Sequence, residues 1–382
     1  MTAPSPPTAS SPTETSTAET SPTETSSGER HLEHAEVVAA LATATAALDD
    51  AEDRPGQVEM AELVDAAIAS GRHLVVQAGT GTGKTLAYLL PAVRAHQKVV
   101  VATATKALQD QLAGKDLPFL DEHVGGFEWS VLKGRSNYVC RQRVQELLDD
   151  RQGRLDLPTD DPMLQSVLTW ADATEIGDRA ELPIEPRPSV WEAVSVTSQE
   201  CPGAAKCPSG ERCFAEAARA RAAEADVVIV NTHLYGTHLA AGGVILAPHD
   251  VVVIDEAHRF EEVVSSTSGL ELSAGRLTAA AYAIGRVLED DISSQLLGDA
   301  SNLGGLLDNY VGDRLDPVPK AIITMLTSIR GRLDEAAAAL RKLPDDKSDV
   351  VARSNRAQTQ ITSLSIDLAT VMSVPDTDVA WV

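Results

Sequence analysis

The stretch HLVVQAGTGTGKT, His73 to Thr85, continued by LAYLLPAVRAH to His96, decides the fold. It reads as a short apolar strand, His73–Ala78, then a glycine-rich turn, then a helix running to about His96. Gly79, Gly81 and Gly83 let successive backbone N–H groups turn inward, and the N-terminus of the helix adds positive potential. That arrangement suits the phosphates of a nucleotide. Lys84 is expected to set a point charge on the β- and γ-phosphates, and Thr85 to offer a hydroxyl to Mg2+. The nucleotide-binding candidates here are Ala78, Gly79, Thr80, Gly81, Thr82, Gly83, Lys84 and Thr85. Ala78 stands where such loops usually carry a first glycine, and the glycines are too closely spaced for the dinucleotide pattern G-x-G-x-x-G. The bland alternative is a glycine-rich turn that binds nothing, and the strand–turn–helix setting argues against it.

Outward from the loop, three more apolar runs appear: KVVVATA at Lys98–Ala104, DVVIV at Asp226–Val230 and VVVID at Val251–Asp255. Runs apolar on both faces suit the buried centre of a parallel sheet, and the β–turn–α–β order implies a crossover helix. The last run continues as VVVIDEAH to His258. It delivers two carboxylates at the C-terminal edge of a strand, where open α/β sheets bind ligands. Asp255 is expected to hold Mg2+ with Thr85, and Glu256 to orient and deprotonate the attacking water, so Lys84, Asp255 and Glu256 are the catalytic candidates. The alternative is that the two acids merely cap the next helix.

The chain has 382 residues, room for two or three domains. Its 32 basic and 56 acidic residues give a net charge of −24, which argues against wrapping nucleic acid with the whole surface but leaves room for a local basic channel. With aromatics at only 3%, any base-stacking site must use a handful of rings. No apolar run is long enough for a membrane helix and no signal-peptide core is visible, so a cytoplasmic location without membrane partners is expected. Residues 1–30 are almost all Ser, Thr, Pro, Ala and Glu, with SPTETS twice, and are expected to be disordered. His31–Asp50 and Arg54–Ser70 read as helices, the second with Pro55 near its start. Past Glu262 helical patterns take over. Ile322, Leu326, Ile329, Leu333, Ala336, Leu340 and Leu343 step by four and three, and Val350, Ser354, Ala357, Ile361, Leu364, Leu368 and Val371 repeat the step. Two long antiparallel helices are expected from these stripes.

Cys140, Cys201, Cys207 and Cys213 all fall in 133–221, a turn-rich insertion with little strand signal. Their gaps do not match the C-x2–4-C pairing of zinc ribbons. One remote cysteine and a group of three can enclose a 4Fe-4S cluster. From spacing alone, a cluster, a zinc ion and unliganded thiols all stay open.

The words around these cysteines carry a resemblance. KGRSNYVC at 133–140 and CPGAAKCPSGERCFAEAARARAAEADVVIVNTHLYG at 201–236 resemble the DinG branch of the DinG/XPD iron–sulfur helicases of superfamily 2. So do the glycine loop, the DEAH sequence and the placing of the insertion between them. The resemblance implies an α/β fold: a RecA-like P-loop parallel sheet with an inserted iron–sulfur cluster domain and a helical arch domain. The implied divisions are 31–132 with 222–262 for the first motor domain, 133–221 for the cluster domain, 263–376 for the arch, and 377–382 for the start of a strand returning to the motor. It implies that all four cysteines hold one 4Fe-4S cluster, that ATP with Mg2+ is the substrate, and that single-stranded DNA is translocated 5′ to 3′ in bacterial DNA repair. Arg54-Pro-Gly-Gln57 resembles the segment whose glutamine reads adenine, which adds Arg54 and Gln57 to the nucleotide set. Thr103 and Thr105 resemble the first strand-contacting motif. Arg135, Tyr138, Arg141, Asn231 and His233 complete the DNA-binding candidates, Tyr138 as a base-stacking ring, with a solvated basic face and a packed tyrosine as the bland reading.

One departure stands out. None of the six Gly-Arg pairs, at 71–72, 134–135, 153–154, 275–276, 285–286 and 331–332, has Gln three residues earlier, so the arginine motif Q-x-x-G-R-x-x-R of a second motor is not in the sequence. The chain therefore reads as an N-terminal portion, expected to bind nucleotide and DNA but to hydrolyse little ATP by itself. Competing readings are a non-catalytic ATP- and nucleic-acid-binding or redox-sensing module, and a P-loop ATPase with a structural zinc site.

Overall fold

The computed structural model describes residues 25–47, 54–79, 81–149, 161–288, 291–343, 348–374 and 378–382. The chain forms two compact units, Met1–Ala95 and His96–Val382. The first 24 residues of the expected tail lie outside the described residues, and a helix begins at Thr25 and runs to Ala46, so the last six of the thirty are helical.

The first unit holds the helices Thr25–Ala46, Pro55–Ser70 and Lys84–Arg94, each packed against the other two. Pro55 opens the second where its missing N–H is harmless, and Gly71 closes it in the left-handed conformation, φ +62°. The expected strand His73–Ala78 is corrected here. These residues join no β-ladder, and Val75 is 92% exposed. A strand needs a neighbour to take its N–H and C=O groups, and the described residues of this unit include none.

The second unit contains a four-stranded sheet of β1 (Val99–Thr103), β2 (Trp129–Val131), β3 (Val227–Asn231) and β4 (Val251–Ile254), in the order β2-β3-β1-β4. Every pairing is parallel: Val99 faces Val227 on one side and Val251 on the other, and Trp129 faces Val227. The apolar runs thus form the expected parallel sheet. The short β2 escaped the sequence reading because Trp129-Ser-Val131 is too brief for a period to show. β1 is buried along its whole length, as a central strand should be, whereas β4 at the edge is only half-buried.

Among the described residues, the cysteine region shares its core with the sheet. Val100, Ala102, Val228 and Val230 of the sheet belong to one apolar cluster with Leu132, Tyr138, Val139, Val190, Trp191 and Phe214. Trp191 anchors this junction, its indole N–H donating to the Ser136 carbonyl at 2.7 Å. The sheet face therefore positions the cysteine loops directly.

Helices Ala274–Gly285, Ile292–Leu307, Lys320–Leu340 and Ser348–Met372 follow. The sequence stripes are their buried faces: Ile322, Leu326, Ile329, Leu333, Ala336 and Leu340 meet Ala357, Ile361, Leu364 and Leu368 in one core. Ion pairs Arg276–Asp367 and Arg332–Asp299 tie the same helices at their margins. Gly312 and Leu315 N–H groups donate to the carbonyls of Val382 (2.7 Å) and Ala380 (2.8 Å), and Arg314 bridges Trp381. The last residues thus find their backbone partners within this helical region. No helix among the described residues is long and apolar enough to cross a membrane.

Candidate functional site

The phosphate loop sits at the start of the helix Lys84–Arg94. Gly81 and Gly83 have φ of +80° and +75°, the left-handed region that L side chains avoid. Gly83 is constrained a second time, because a Cβ there would come 2.2 Å from Gln57 Nε2. Gln57 is 5% exposed and donates from Nε2 to the Gly83 carbonyl at 3.0 Å. The Thr82 hydroxyl donates to the Gly79 carbonyl at 3.0 Å and closes the loop. Lys84 and Thr85 are half-buried at the helix start, where backbone N–H groups have no intrahelical acceptor. Thr80 lies outside the described residues. Gln57 thus braces the loop through one N–H of its amide. Arg54 precedes the same helix, its carbonyl accepting the Gln57 N–H at 2.8 Å.

The acidic pair ends β4 in the other unit. Asp255 extends the ladder by donating its N–H to the Ala102 carbonyl at 2.9 Å. Its Oδ1 accepts the Glu256 N–H at 3.1 Å. Glu256 has φ +57°, a left-handed conformation costing roughly 1–2 kcal/mol for a side chain with a Cβ. Such strain is typical of residues held for function. Its carboxylate is 39% exposed and lies 3.4 Å from His258 Nδ1. Neither acid caps the helix Phe260–Ser268: its N-cap is Arg259, and Glu256 makes no side-chain cap to the turn Ala257–Arg259.

The four cysteines line one cavity, together with Arg135, Gln142 and Ser209. The backbone sets them there through short turns. Cys140 donates its N–H to Val194 at 2.7 Å just before the helix Arg141–Asp149, and Cys201 donates to Thr197 at 3.1 Å. Cys207 and Cys213 each end a 3-10 turn, Ala204–Lys206 and Gly210–Arg212. A Cβ on Gly210 would strike the Ala204 carbonyl at 2.1 Å, so these two turns pack backbone to backbone. Burial pushes the Cys140 thiol up to about 11. Burial also raises Cys207, with the Cys201 and Cys213 sulfurs adding to the effect. Burial opposes charge on Arg135, yet Glu216 and the sulfurs of Cys201 and Cys213 offset it and hold the guanidinium above its usual value. Its Nη1 lies 3.9 Å from Cys213 Sγ. A set of thiols facing one cavity, with a cation beside them, fits a thiolate-bound group. Among the described residues no three His, Cys, Asp or Glu side chains converge to hold a single metal ion.

The DNA-binding candidates fare differently. Tyr138 is 4% exposed and its hydroxyl accepts the Lys133 N–H at 3.2 Å, so the ring is a core residue and not a stacking platform. Thr103 is fully buried, and its hydroxyl faces the Thr105 carbonyl at 3.4 Å. Thr105 is exposed and its Oγ1 accepts from Leu108 N at 3.2 Å, a helix cap. Asn231 caps the helix Thr232–Ala240 through Leu234 N at 2.7 Å. Arg135 pairs with Glu216 and Arg141 lies 4.1 Å over the Phe214 ring. His233 alone of the seven is exposed without serving a cap. Lys133 and Arg143 are turned inward as well, Lys133 to Asp178 at 2.5 Å and Arg143 to the Ala193 carbonyl at 3.2 Å. The basic crowd around Cys140 stabilises the cysteine loops from within. Sequence reasoning missed Glu146, Glu200, Arg356 and Gln360, which are joined across the fold. Their signal was available: Arg356 and Gln360 stand four apart beside the apolar stripe of the last long helix.

With this geometry in hand, comparison with known proteins defines the class. The family model DEAD/DEAH box helicase matches residues 55–146. The ATP-dependent helicase DinG of Mycobacterium tuberculosis (strain H37Ra) is 38% identical over 298 residues, covering 72% of this chain and 44% of the relative. The ATP-dependent DNA helicase YoaA of Escherichia coli (strain K12) is 39% identical over 233 residues, covering 59% of this chain and 36% of the relative. A solved structure described as truncated XPD is matched over 80% of this chain and 81% of its own, at 16% identity and a TM-score of 0.40. The chain thus carries a DEAD/DEAH box helicase match over 55–146 and is similar over most of its length to DinG-type helicases. It spans less than half the length of these DinG and YoaA relatives.

Proposed function

We propose that the chain is the ATP-binding and cluster-binding part of a DinG-type DNA helicase that couples ATP hydrolysis to 5′–3′ movement on single-stranded DNA. The observation that carries this reading is the phosphate loop: two left-handed glycines, braced by Gln57, opening a helix at Lys84. Lys84 supplies charge to the β- and γ-phosphates. Thr85 and Asp255 are each proposed as Mg2+ ligands through their hydroxyl and carboxylate, and Glu256 would take the proton of the attacking water. The strained, accessible Glu256 and the failure of either acid to cap a helix support that division of labour.

Cys140, Cys201, Cys207 and Cys213 would hold a 4Fe-4S cluster, which supplies a rigid cross-link and a one-electron redox centre when bound. Their shared cavity, with the Arg135 guanidinium beside Cys213, supports a thiolate-bound group at this place. In this reading 263–376 is the arch, single-stranded DNA the partner, and the bacterial cytoplasm and its nucleoid the location.

The test is steady-state ATP hydrolysis with and without single-stranded DNA, by the parent and by Glu256→Gln in a helicase that includes a second motor domain. DNA-stimulated turnover that Glu256→Gln abolishes while keeping ATP binding supports the reading. Turnover unchanged by Glu256→Gln overturns it.

A further inference from the structure

The long helix Ser348–Met372 touches the cysteine loops at three places. Arg356 Nη2 makes an ion pair with Glu146 Oε1, and both side chains are less than a tenth exposed. The same Glu146 oxygen accepts from Gln142 Nε2 at 3.1 Å, and Gln142 Oε1 accepts the Ser209 hydroxyl at 3.0 Å. Gln142 is two residues past Cys140, and Ser209 two past Cys207. Separately, Gln360 Nε2 donates to Glu200 Oε1 at 3.1 Å, beside Cys201. Asn355 Nδ2 donates to the Lys206 carbonyl at 3.3 Å, beside Cys207. Arg356, Glu146, Gln142 and Gln360 are all buried.

We infer that Ser348–Met372 is a clamp on the cysteine loops, with Arg356 its positioning residue, so that filling of the thiol cavity and seating of the helix stabilise one another. Buried polar groups gain most when every partner is present and lose most when one is removed, so the chain Arg356–Glu146–Gln142–Ser209 favours one arrangement of helix and loops. Arg356 and Gln360 occupy a polar line beside the apolar stripe, which leaves Ala357 and Ile361 to the helical core. One helix thus serves two structures with adjacent faces. Coupling of this kind is reciprocal: if the seated helix favours converged thiols, converged thiols favour the seated helix. The thiol-filling side of the inference rests on the cluster reading, and the test separates the two.

The experiment is amide hydrogen exchange of residues 199–213 in the full chain, metal-free, comparing the parent with Arg356→Met, Arg356→Lys and Arg332→Met. Arg332 forms the Asp299 ion pair within the helical layer and reaches no cysteine segment. Arg356→Met is expected to speed exchange there by roughly tenfold or more, Arg356→Lys to restore part of the protection, and Arg332→Met to leave it as in the parent. In anaerobically purified protein, Arg356→Met is also expected to surrender iron to a chelator faster than Arg332→Met. Unchanged exchange in Arg356→Met, or an equal rise in Arg332→Met, overturns the clamp. The expected exchange pattern in a parent that never takes up iron upholds the clamp and removes the cluster reading instead. Should Arg356→Met fail to fold, Gln360→Ala breaks only the Glu200 contact, and no rise in exchange at 199–202 then overturns the inference.

Discussion

The phosphate loop and the cysteine cavity both bring several ligand groups to one place, by opposite means. The loop does it with backbone, within eight consecutive residues, and its instructions are conformational: glycine where φ is positive, a helix start at Lys84. The cavity does it with side chains from segments far apart in sequence, and needs the sheet, Trp191 and a distant helix to hold them. A local site is therefore vulnerable to backbone changes inside it. A dispersed site is vulnerable to changes a long way off.

The sharpest way to break this contrast is Cys207→Ser. One lost thiolate of four should remove bound iron altogether, read as metal and sulfide content, because the remaining three cannot close a four-thiolate cage. Full iron retention would remove Cys207 from the ligand set. Next comes Gly83→Val. A side chain at φ +75° that also meets Gln57 should weaken ATP binding by roughly tenfold or more while leaving iron content untouched. If iron fell in step, the two sites would not be separable as described.

Smaller effects sharpen the account of the basic region. Tyr138→Phe leaves the buried Lys133 N–H without its acceptor and should cost about 1–3 kcal/mol. Asn231→Ala removes the cap on Leu234 N and should destabilise the chain by about 1 kcal/mol in thermal melts. Neither should alter the salt-dependent affinity for single-stranded DNA. A fall in that affinity for Tyr138→Phe would mean that the ring meets DNA after all.

The same contrast explains what the sequence disclosed. Short apolar runs became parallel strands because burial on both faces leaves a simple signature, and the four-three stripes became buried helix faces for the same reason. His73–Ala78 has the strand signature too, but a ladder requires a partner that composition does not record. At the loop, Gly81, Gly83 and Lys84 were legible from spacing alone. Around Cys140 the sequence disclosed that Lys133, Arg135, Arg141 and Arg143 are close together, but not that they turn inward, because charge density carries no direction. Thr103 and Tyr138 are buried by the sheet and by Phe214 and Trp191, long-range facts that no local window contains.

Titration of Mg-ATP into the 382-residue chain and into Lys84→Ala tests the central claim most directly. The account predicts saturable binding by the parent, weakened about tenfold or more when the charge facing the phosphates is removed, a loss of ~1.5–3 kcal/mol, with no change in iron content. Equal affinity in the two proteins would contradict it, for the loop that decides the fold would then not be a nucleotide site.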